Sequence, residues 1–189
     1  MLYQVSQKMR CILLFLISIV LSVPAQAYDL HGKLRASLAN NNVVGFQTYF
    51  QDSQVSFQGV FADVEEQEFI LDETLSALKR AQRAIGTAPD GCYQRDVHLQ
   101  VYFAPDEIIN NREIMSFLDW EKWDNKNIFG VFDSQTADTG TVTIFVSSSH
   151  SLQEIKQTIA HEVYHYSQFK NCMPLSEDDA YAFENMLMV

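Results

Sequence analysis

The sequence has few basic residues, few cysteines and no long apolar run, and each shortage narrows what the protein can be. Its 189 residues include 13 lysines and arginines against 24 aspartates and glutamates, a formal net charge of −11. Nucleic acid is bound through basic contacts to phosphate, so this balance argues against nucleic acid as a partner. No internal repeat, low-complexity tract or interdomain linker is evident, and a hydrophobic content of 47% argues against a disordered chain.

The longest apolar run lies close to the start of the chain. It extends from Cys11 to Val23, 13 residues, which is short of the roughly 20 that a membrane-spanning helix needs. Lys8 and Arg10 precede the run, and residues 24–27, Pro-Ala-Gln-Ala, follow it as an A-x-A cleavage site. Basic residues, a short apolar run and small residues at a cleavage site are typical of a secretory signal peptide. An uncleaved membrane anchor is the alternative.

Residues 1–27 are thus predicted to be a signal peptide, and residues 28–189 have the length of a single domain. We expect an exported protein, periplasmic or secreted, without stable membrane insertion after cleavage. Loss of Lys8 and Arg10 reduces the basic residues from 13 to 11 against 24 acidic ones, a formal charge of −13. A charge of this sign favours solubility and only weakly indicates a cationic partner.

Two of the three cysteines, Cys92 and Cys172, lie outside the predicted signal peptide. In an exported protein an even pair of cysteines is most simply a disulfide. A bridge that closes a loop of about 80 residues contributes roughly 4 kcal/mol of stability in the chain-entropy model. Two buried thiols are the alternative.

Two histidines four residues apart form the most informative motif. His161, Glu162 and His165 occur in the order His-Glu-Val-Tyr-His. Residues four apart lie on one face of an α-helix, so both imidazoles point toward one place. Zn²⁺ binds neutral imidazole nitrogens, and a catalytic zinc site has three protein ligands and a water. Glu162 between the histidines can act as the general base toward that water; two solvent-facing histidines are the alternative.

The residues around the motif predict a helix. Ser151 and Glu154 form a capping box, and apolar residues then recur at helical spacing. These apolar residues are Leu152, Ile155, Ile159, Val163 and Tyr166. A different, polar stripe of the same helix carries Thr158, His161, His165 and Gln168. The two histidines therefore lie on a face where a site can open.

The His-Glu-x-x-His motif resembles that of the zincin metallopeptidases. The following sequence is similar to the gluzincin branch, in which a glutamate from the next helix completes the zinc site, commonly as Glu-x-x-Ala. Here Ser176 predicts the N-cap of a helix over residues 177–188 that begins Glu-Asp-Asp-Ala. The resemblance therefore implies Glu177 as the third ligand of Zn²⁺.

Several alternatives to this ligand stay open. Three acids in a first helical turn also suit the helix dipole without any metal. The other carboxylates within about two turns are Asp178, Asp179 and Glu184. The resemblance covers about residues 151–184, and it departs from the common gluzincin form at Tyr181, where an aspartate usually steadies a ligand histidine. Asp178, Glu184 or a backbone carbonyl could take that role here.

The rest of the chain predicts an α+β domain. A helix is expected over residues 64–85 with Gly86 as its stop, and strands are expected over residues 97–103, 128–132 and 141–147. Residues 43–61 have no clean period and predict no element. With the resemblance, the expected fold is a zincin-like minimal metallopeptidase domain with a small mixed sheet, an active-site helix and a short C-terminal helix.

The resemblance also implies where a substrate would lie. In zincins the strand before the active-site helix is commonly the sheet edge along which an extended peptide binds, which implies residues 141–147 here. Hydrolysis further needs a hydrogen-bond donor for the developing oxyanion. The candidate donors are Tyr164, Tyr166, Tyr181, His150 and Arg112.

These observations predict an exported, zinc-dependent metallopeptidase that hydrolyses peptide bonds in a peptide or protein substrate. His161, His165 and Glu177 are the expected zinc ligands, and Glu162 is the expected general base. Two other classes stay open. The first is a non-catalytic exported zinc-binding or scaffold protein that retains a zincin-like fold, and the second is a metal-free module in which the motif is accidental.

Overall fold

A computed structural model describes residues 43–92, 96–113, 115, 128–135 and 137–187. The predicted signal peptide, residues 1–27, lies outside the described residues. Within them, four helices accompany one five-stranded mixed sheet, which confirms the predicted α+β class. In chain order the elements are β1 (Val44–Phe50), β2 (Ser53–Gly59), α1 (Val64–Ile85), β3 (His98–Ala104), α2 (Asp106–Ile109), β4 (Gly130–Asp133), β5 (Thr141–Ser147), α3 (Leu152–Lys170) and α4 (Glu177–Met186).

The strands lie in the order β1-β2-β3-β5-β4. The three central strands β2, β3 and β5 run parallel, and the outer strands β1 and β4 are antiparallel to their neighbours. The hairpin of β1 and β2 was not predicted from the sequence. In β2, buried Val55 and Phe57 alternate with half-buried Gln54, Ser56 and Gln58. This is the period-two pattern of a strand, but the glutamines in and around it make the pattern hard to recognise in the sequence.

The predicted helices over residues 64–85 and around the motif are confirmed as α1 and α3. The Asp63 side chain caps α1 by accepting the N–H of Glu66, and Gly86 with φ 93° ends it. Ser151 and Glu154 form the predicted capping box at the start of α3. These local hydrogen bonds satisfy N–H groups that have no partner inside the helix, so the helix boundaries could be predicted from the sequence.

The two long helices cover one face of the sheet. Alternate residues of β3, Leu99, Val101 and Phe103, are fully buried there in one apolar core with Ile159 and Val163 of α3. The other face carries a smaller apolar cluster, in which the rings of Tyr102 and Phe145 stack with centroids 5.5 Å apart. The motif helix is therefore anchored on the sheet by its apolar side, which leaves its polar stripe at the border of the core.

The prediction that residues 141–147 form a sheet edge is wrong. They form β5, which pairs with β3 on one side and β4 on the other. Six of its seven residues are buried, as expected for a strand that is covered on both faces and paired at both edges. The outer strand beside the motif helix is β4, and within the described part of the chain β5 is its only strand partner.

The predicted disulfide between Cys92 and Cys172 is confirmed, with a Cα–Cα distance of 5.9 Å. Cys172 lies in the turn between α3 and α4 and adopts the left-handed conformation, φ 55°. The bridge thereby fastens this turn to the segment that precedes β3. Among the described residues, no helix is both long and apolar enough to cross a membrane.

Candidate metal centre

The two motif histidines lie one above the other on the polar stripe of α3. Their Nε2 atoms are 3.2 Å apart, and their rings meet edge to face with centroids at 4.8 Å. The backbone of α3 imposes this arrangement, since side chains at i and i+4 project from the same side of a helix. His165 is buried, and the His161 side chain is 11% exposed, so one edge of the pair faces solvent.

Glu177 reaches the same place from the start of α4. Its Oε2 lies 3.1 Å from His161 Nε2, and its Oε1 lies 3.4 Å from His165 Nε2. The Ser176 side chain caps α4 by accepting the N–H of Asp179, which sets Glu177 as the first helical residue. The other two acids of this turn, Asp178 and Asp179, are exposed. The structure thus brings together the three residues predicted as ligands.

The spacing of these three groups fits a tetrahedral ion. At zinc–ligand distances near 2.0–2.1 Å, two ligand atoms at the tetrahedral angle are about 3.3–3.4 Å apart. The two Nε2 atoms are 3.2 Å apart, and each lies 3.1 or 3.4 Å from a different oxygen of Glu177. With one ligand atom from each residue, the three atoms lie within 4.8 Å of one another. Two imidazole nitrogens and one carboxylate are also a donor set that zinc accepts in catalytic sites. The residues present therefore fit Zn²⁺ in both spacing and chemistry.

Glu162 lies beside this centre in a closely packed position. It is 6% exposed, and its carboxylate accepts a hydrogen bond from the backbone N–H of Phe132 on β4. A Cβ placed on Gly130 would lie 2.9 Å from Glu162 Oε1 and would collide with the Thr158 methyl group. Glycine at position 130 therefore allows β4 to approach α3 closely, and this approach holds the Glu162 carboxylate at the border of the cleft.

Two further side chains contact the Nδ1 atoms of the histidines. His165 Nδ1 lies 3.1 Å from Gln168 Oε1, and His161 Nδ1 lies 3.3 Å from Glu184 Oε2. Glu184 therefore lies on the Nδ1 side of His161, away from the two Nε2 atoms that face each other. The sequence had left it open as an alternative third ligand. Nδ1 of His161 and Oε2 of Glu184 are within ion-pair distance but do not form a hydrogen bond. Gln168 was placed on the polar stripe by the sequence, but no role was predicted for it.

Burial is the main cause of two opposite pKa shifts at the centre, because it lowers the pKa of His161 and raises the pKa of Glu162. Burial and the neighbouring His165 lower the pKa of His161, which Glu177 partly opposes. Burial, followed by the charges of Glu177 and Glu184, raises the pKa of Glu162 well above the usual carboxyl range, which the N–H of Phe132 partly opposes. A neutral imidazole has the lone pair that a metal needs, and a carboxyl group with a raised pKa accepts a proton more readily.

The centre opens into a cleft of about 560 Å³ between β4, α3 and α4. Its walls combine apolar side chains with carboxylates and contain no lysine or arginine among the described residues. The apolar part comprises Ile128, Phe129, Val131, Phe132, Leu175 and Tyr181, and the carboxylates are those of Glu154, Glu162, Glu177 and Glu184. Because its walls are apolar or carry carboxylates, such a cleft suits an apolar or cationic group of a bound molecule rather than an anionic one.

The candidate oxyanion donors fall in different places. Tyr181 is 55% exposed, lines the cleft and packs its ring 4.7 Å from that of His161. Burial and nearby carboxylates raise its pKa, so it keeps its O–H proton. Tyr164 stacks on Phe183, and Tyr166 is buried in the core, where its O–H donates to the carbonyl of Val97.

The remaining two candidate donors are His150 and Arg112. His150 Nε2 lies 3.4 Å from Asp106 Oδ1, and the His150 ring packs against Phe129 at the border of the cleft. Arg112 is exposed in the segment after α2. Of the five candidates, Tyr181 is the one that lines the cleft itself.

No protein-family model matches the chain, and neither a curated protein nor a solved structure shows significant similarity to it. The resemblance to zincins therefore rests on the motif and on the residues that surround it in space.

Proposed function

We propose that this protein is an exported zinc-dependent metallopeptidase with a zincin-like active site of the gluzincin type. His161, His165 and Glu177 hold Zn²⁺, and Glu162 is the general base. The reaction is hydrolysis of a peptide bond in a peptide or protein substrate. The disulfide between Cys92 and Cys172 supports export, because such bridges persist in oxidising compartments.

The observation that carries the proposal is the convergence of two imidazoles and the Glu177 carboxylate, with ligand atoms within 4.8 Å of one another and the buried carboxylate of Glu162 beside them. Binding of a metal alone needs the first three residues. It does not need Glu162, whose burial costs free energy that the one N–H of Phe132 offsets only in part. An ionisable side chain in such a position at a cleft is typical of a catalytic acid or base.

When bound by these residues, Zn²⁺ would supply Lewis acidity toward the attacking water and the scissile carbonyl group. The residues of the chain supply the proton transfer. Glu162 accepts the proton of the attacking water and gives it to the leaving amine. Its hydrogen bond from Phe132 and the lack of space toward Gly130 restrict the orientation of the carboxylate during both transfers.

The outer strand β4 provides a place for an extended substrate. Phe132 donates its backbone N–H to Glu162, so the main chain of β4 faces the cleft at this residue. In an antiparallel ladder the same side is presented two residues away, at Gly130. Main-chain hydrogen bonds to Gly130 and to the carbonyl of Phe132 would align a peptide as an added strand, and the exposed ring of Tyr181 offers an O–H on the opposite wall.

Elemental analysis of the purified protein tests the proposal. We expect one zinc per chain, lost in His161→Ala and weakened in Glu177→Ala, because each variant removes one of three ligands. Asp178→Ala is the matched control, since it removes a neighbouring exposed carboxylate from the same helical turn. A folded protein that takes up no zinc after reconstitution would contradict the proposal. So would equal zinc loss in the Glu177 and Asp178 variants.

A further inference from the structure

Gln168 is completely buried beside the metal centre, with 0% of its surface exposed. Its Oε1 atom has two neighbours at hydrogen-bond distance. One is Nδ1 of His165 at 3.1 Å, and the other is the backbone nitrogen of Ser176 at 3.2 Å. A single side-chain atom therefore contacts one ligand histidine and the N-cap residue of α4.

These two contacts determine where the proton of His165 lies. A backbone N–H can only donate, so the Gln168 atom that faces Ser176 is the amide oxygen and not the amide nitrogen. An amide oxygen can only accept, so Nδ1 of His165 must carry the proton that it shares with Gln168. In the neutral ring the other nitrogen, Nε2, then keeps its lone pair. Nε2 is the atom that faces His161 and Glu177.

The second contact concerns Glu177. Ser176 immediately precedes Glu177, and its N–H is held by the same oxygen that orients His165. This hydrogen bond connects the start of α4 to α3 near His165. One buried oxygen thus sets the proton position of one ligand and the place of another.

We propose that Gln168 is a positioning residue that prepares the site for zinc before the metal binds. It holds His165 in the Nδ1–H tautomer with Nε2 free, and it fixes the first turn of α4 so that Glu177 meets the two histidines. The role in metal binding rests on the proposed function, whereas the proton position and the α4 contact belong to the metal-free protein.

Packing alone does not account for a glutamine at this position. An apolar side chain would fill the space without the cost of burying an amide. Ligand histidines in metal sites commonly donate their second ring N–H to an oxygen, and loss of that partner typically weakens metal binding 10- to 100-fold. Here the partner has the additional contact to the helix that carries the third ligand.

Nitrogen-15 NMR of the imidazoles in the metal-free protein at about pH 8 tests the inference, because an ordinary histidine is neutral at that pH. We expect the Nδ1–H form for His165. In Gln168→Leu, which keeps the bulk and removes the oxygen, we expect the Nε2–H form to appear. The Ser176 amide should also exchange with solvent about tenfold faster, as expected for the loss of one hydrogen bond.

Zinc affinity, measured by competition with a chromophoric chelator, should fall about 10- to 100-fold in Gln168→Leu. Gln168→Glu supplies acceptor oxygens again and should restore slow exchange at Ser176 and most of the affinity. Gln153→Leu, an exposed glutamine near the start of α3, is the matched control and should leave all three measurements unchanged.

Wild-type His165 in the Nε2–H form would overturn the inference, even if Gln168→Leu did not fold. Unchanged exchange at Ser176 and unchanged zinc affinity in a folded Gln168→Leu would also overturn it. A wild-type protein that binds no zinc, but shows the Nδ1–H form and loses it in Gln168→Leu, would refute the proposed function. It would support the positioning of His165 by Gln168.

Discussion

Single side chains determine the chemistry that this cleft can perform, and Glu162 has the most unusual environment among them. It is nearly inaccessible to water, and burial together with two neighbouring glutamates raises its pKa. Its carboxylate accepts a hydrogen bond from the backbone N–H of Phe132. A carboxyl group that accepts a proton readily and is held in one orientation meets both requirements of a general base that later acts as an acid.

Replacement of Glu162 by glutamine should separate metal binding from catalysis. The amide keeps the shape of the side chain but cannot accept the proton, so zinc content should stay at one per chain while peptide hydrolysis falls about 10²- to 10⁴-fold. Both quantities can be measured on the same preparation, with Glu65→Gln on the exposed side of α1 as the control. Normal turnover by Glu162→Gln would contradict the role of Glu162. Zinc binding without hydrolysis in the wild type would favour the non-catalytic scaffold.

Asp133 at the end of β4 should make stability depend on pH. It is buried, one of its oxygens accepts the N–H of Gln135, and burial raises its pKa. The folded state therefore binds the proton more tightly than the unfolded state does. The stabilising contribution of the protonated carboxyl group is complete at acidic pH and is lost as pH rises through the folded pKa.

In Asp133→Asn this pH-dependent loss should disappear. As pH rises from acidic to neutral, the free energy of unfolding should therefore fall more in the wild type than in the variant. Urea denaturation at several pH values measures this difference. Asp138→Asn, in the exposed turn before β5, controls for removal of a nearby charge. Parallel pH profiles of wild type and Asp133→Asn would show that this carboxyl group does not titrate with folding.

At the scale of elements, the close approach of β4 to α3 decides whether there is a cleft with a buried base. Gly130 faces Thr158 and Glu162, and no larger residue fits there without displacement of one of them. The approach also brings the N–H of Phe132 to the Glu162 carboxylate. The short outer strand β4 therefore also forms one wall of the cleft and positions the Glu162 carboxylate.

Gly130→Ala should destabilise the protein by about 1–3 kcal/mol, the usual cost of an added methyl group in a filled space. It should also lower peptidase activity, because the new methyl group would displace the Glu162 carboxylate. Chemical denaturation and turnover measure the two effects. The double variant Gly130→Ala, Thr158→Ser lacks the methyl group of Thr158 that meets the new Cβ. It should therefore regain part of the stability.

Gly45→Ala is the matched control for this substitution. The position is a strand glycine whose added Cβ would make only ordinary contacts, the nearest at 3.6 Å from the carbonyl oxygen of Phe57. We expect little change in stability and none in activity. Equal effects at Gly45 and Gly130 would mean that the tight contact with α3 is not the cause.

At the scale of the whole molecule, the site depends on how α4 docks against α3. α4 supplies Glu177 to the centre and Glu184 to His161, and its N-cap residue Ser176 contacts Gln168. The turn that leads into α4 contains Cys172, which is bridged to Cys92 across a sequence separation of 80 residues. The disulfide thereby limits the movement of the segment that carries Glu177, the proposed third ligand.

The double variant Cys92→Ser, Cys172→Ser should lose about 4 kcal/mol of stability in the chain-entropy model for a loop of this length. It should also bind zinc more weakly, because the turn before Glu177 is less restricted. Denaturation and chelator competition measure the two effects. The double variant should respond to a thiol reductant less than the wild type does. Identical stability of the oxidised and reduced wild type would contradict the structural role of the bridge.

Local signals in the sequence were sufficient for the three longer helices and for the motif, but not for the short helix α2. The capping box of Ser151 and Glu154 and the stop at Gly86 act within one helical turn, so they could be recognised without the fold. The hairpin of β1 and β2 and the true edge of the sheet could not be recognised. Strand order depends on contacts between distant segments, and no residue of β5 indicates by itself that β4 lies outside it.

The sequence by itself determined that His161 and His165 share a helical face with a carboxylate between them, because the period of the α-helix brings residues four apart together. It also placed an acidic residue at the start of a second helix and paired two cysteines through their number and compartment. Only the tertiary structure decided which carboxylate meets the histidines, which one lies at Nδ1 of His161, and that Gln168 contacts both His165 and the N-cap residue of α4. These choices depend on the angle at which α4 packs on α3, which is set by contacts across the whole domain.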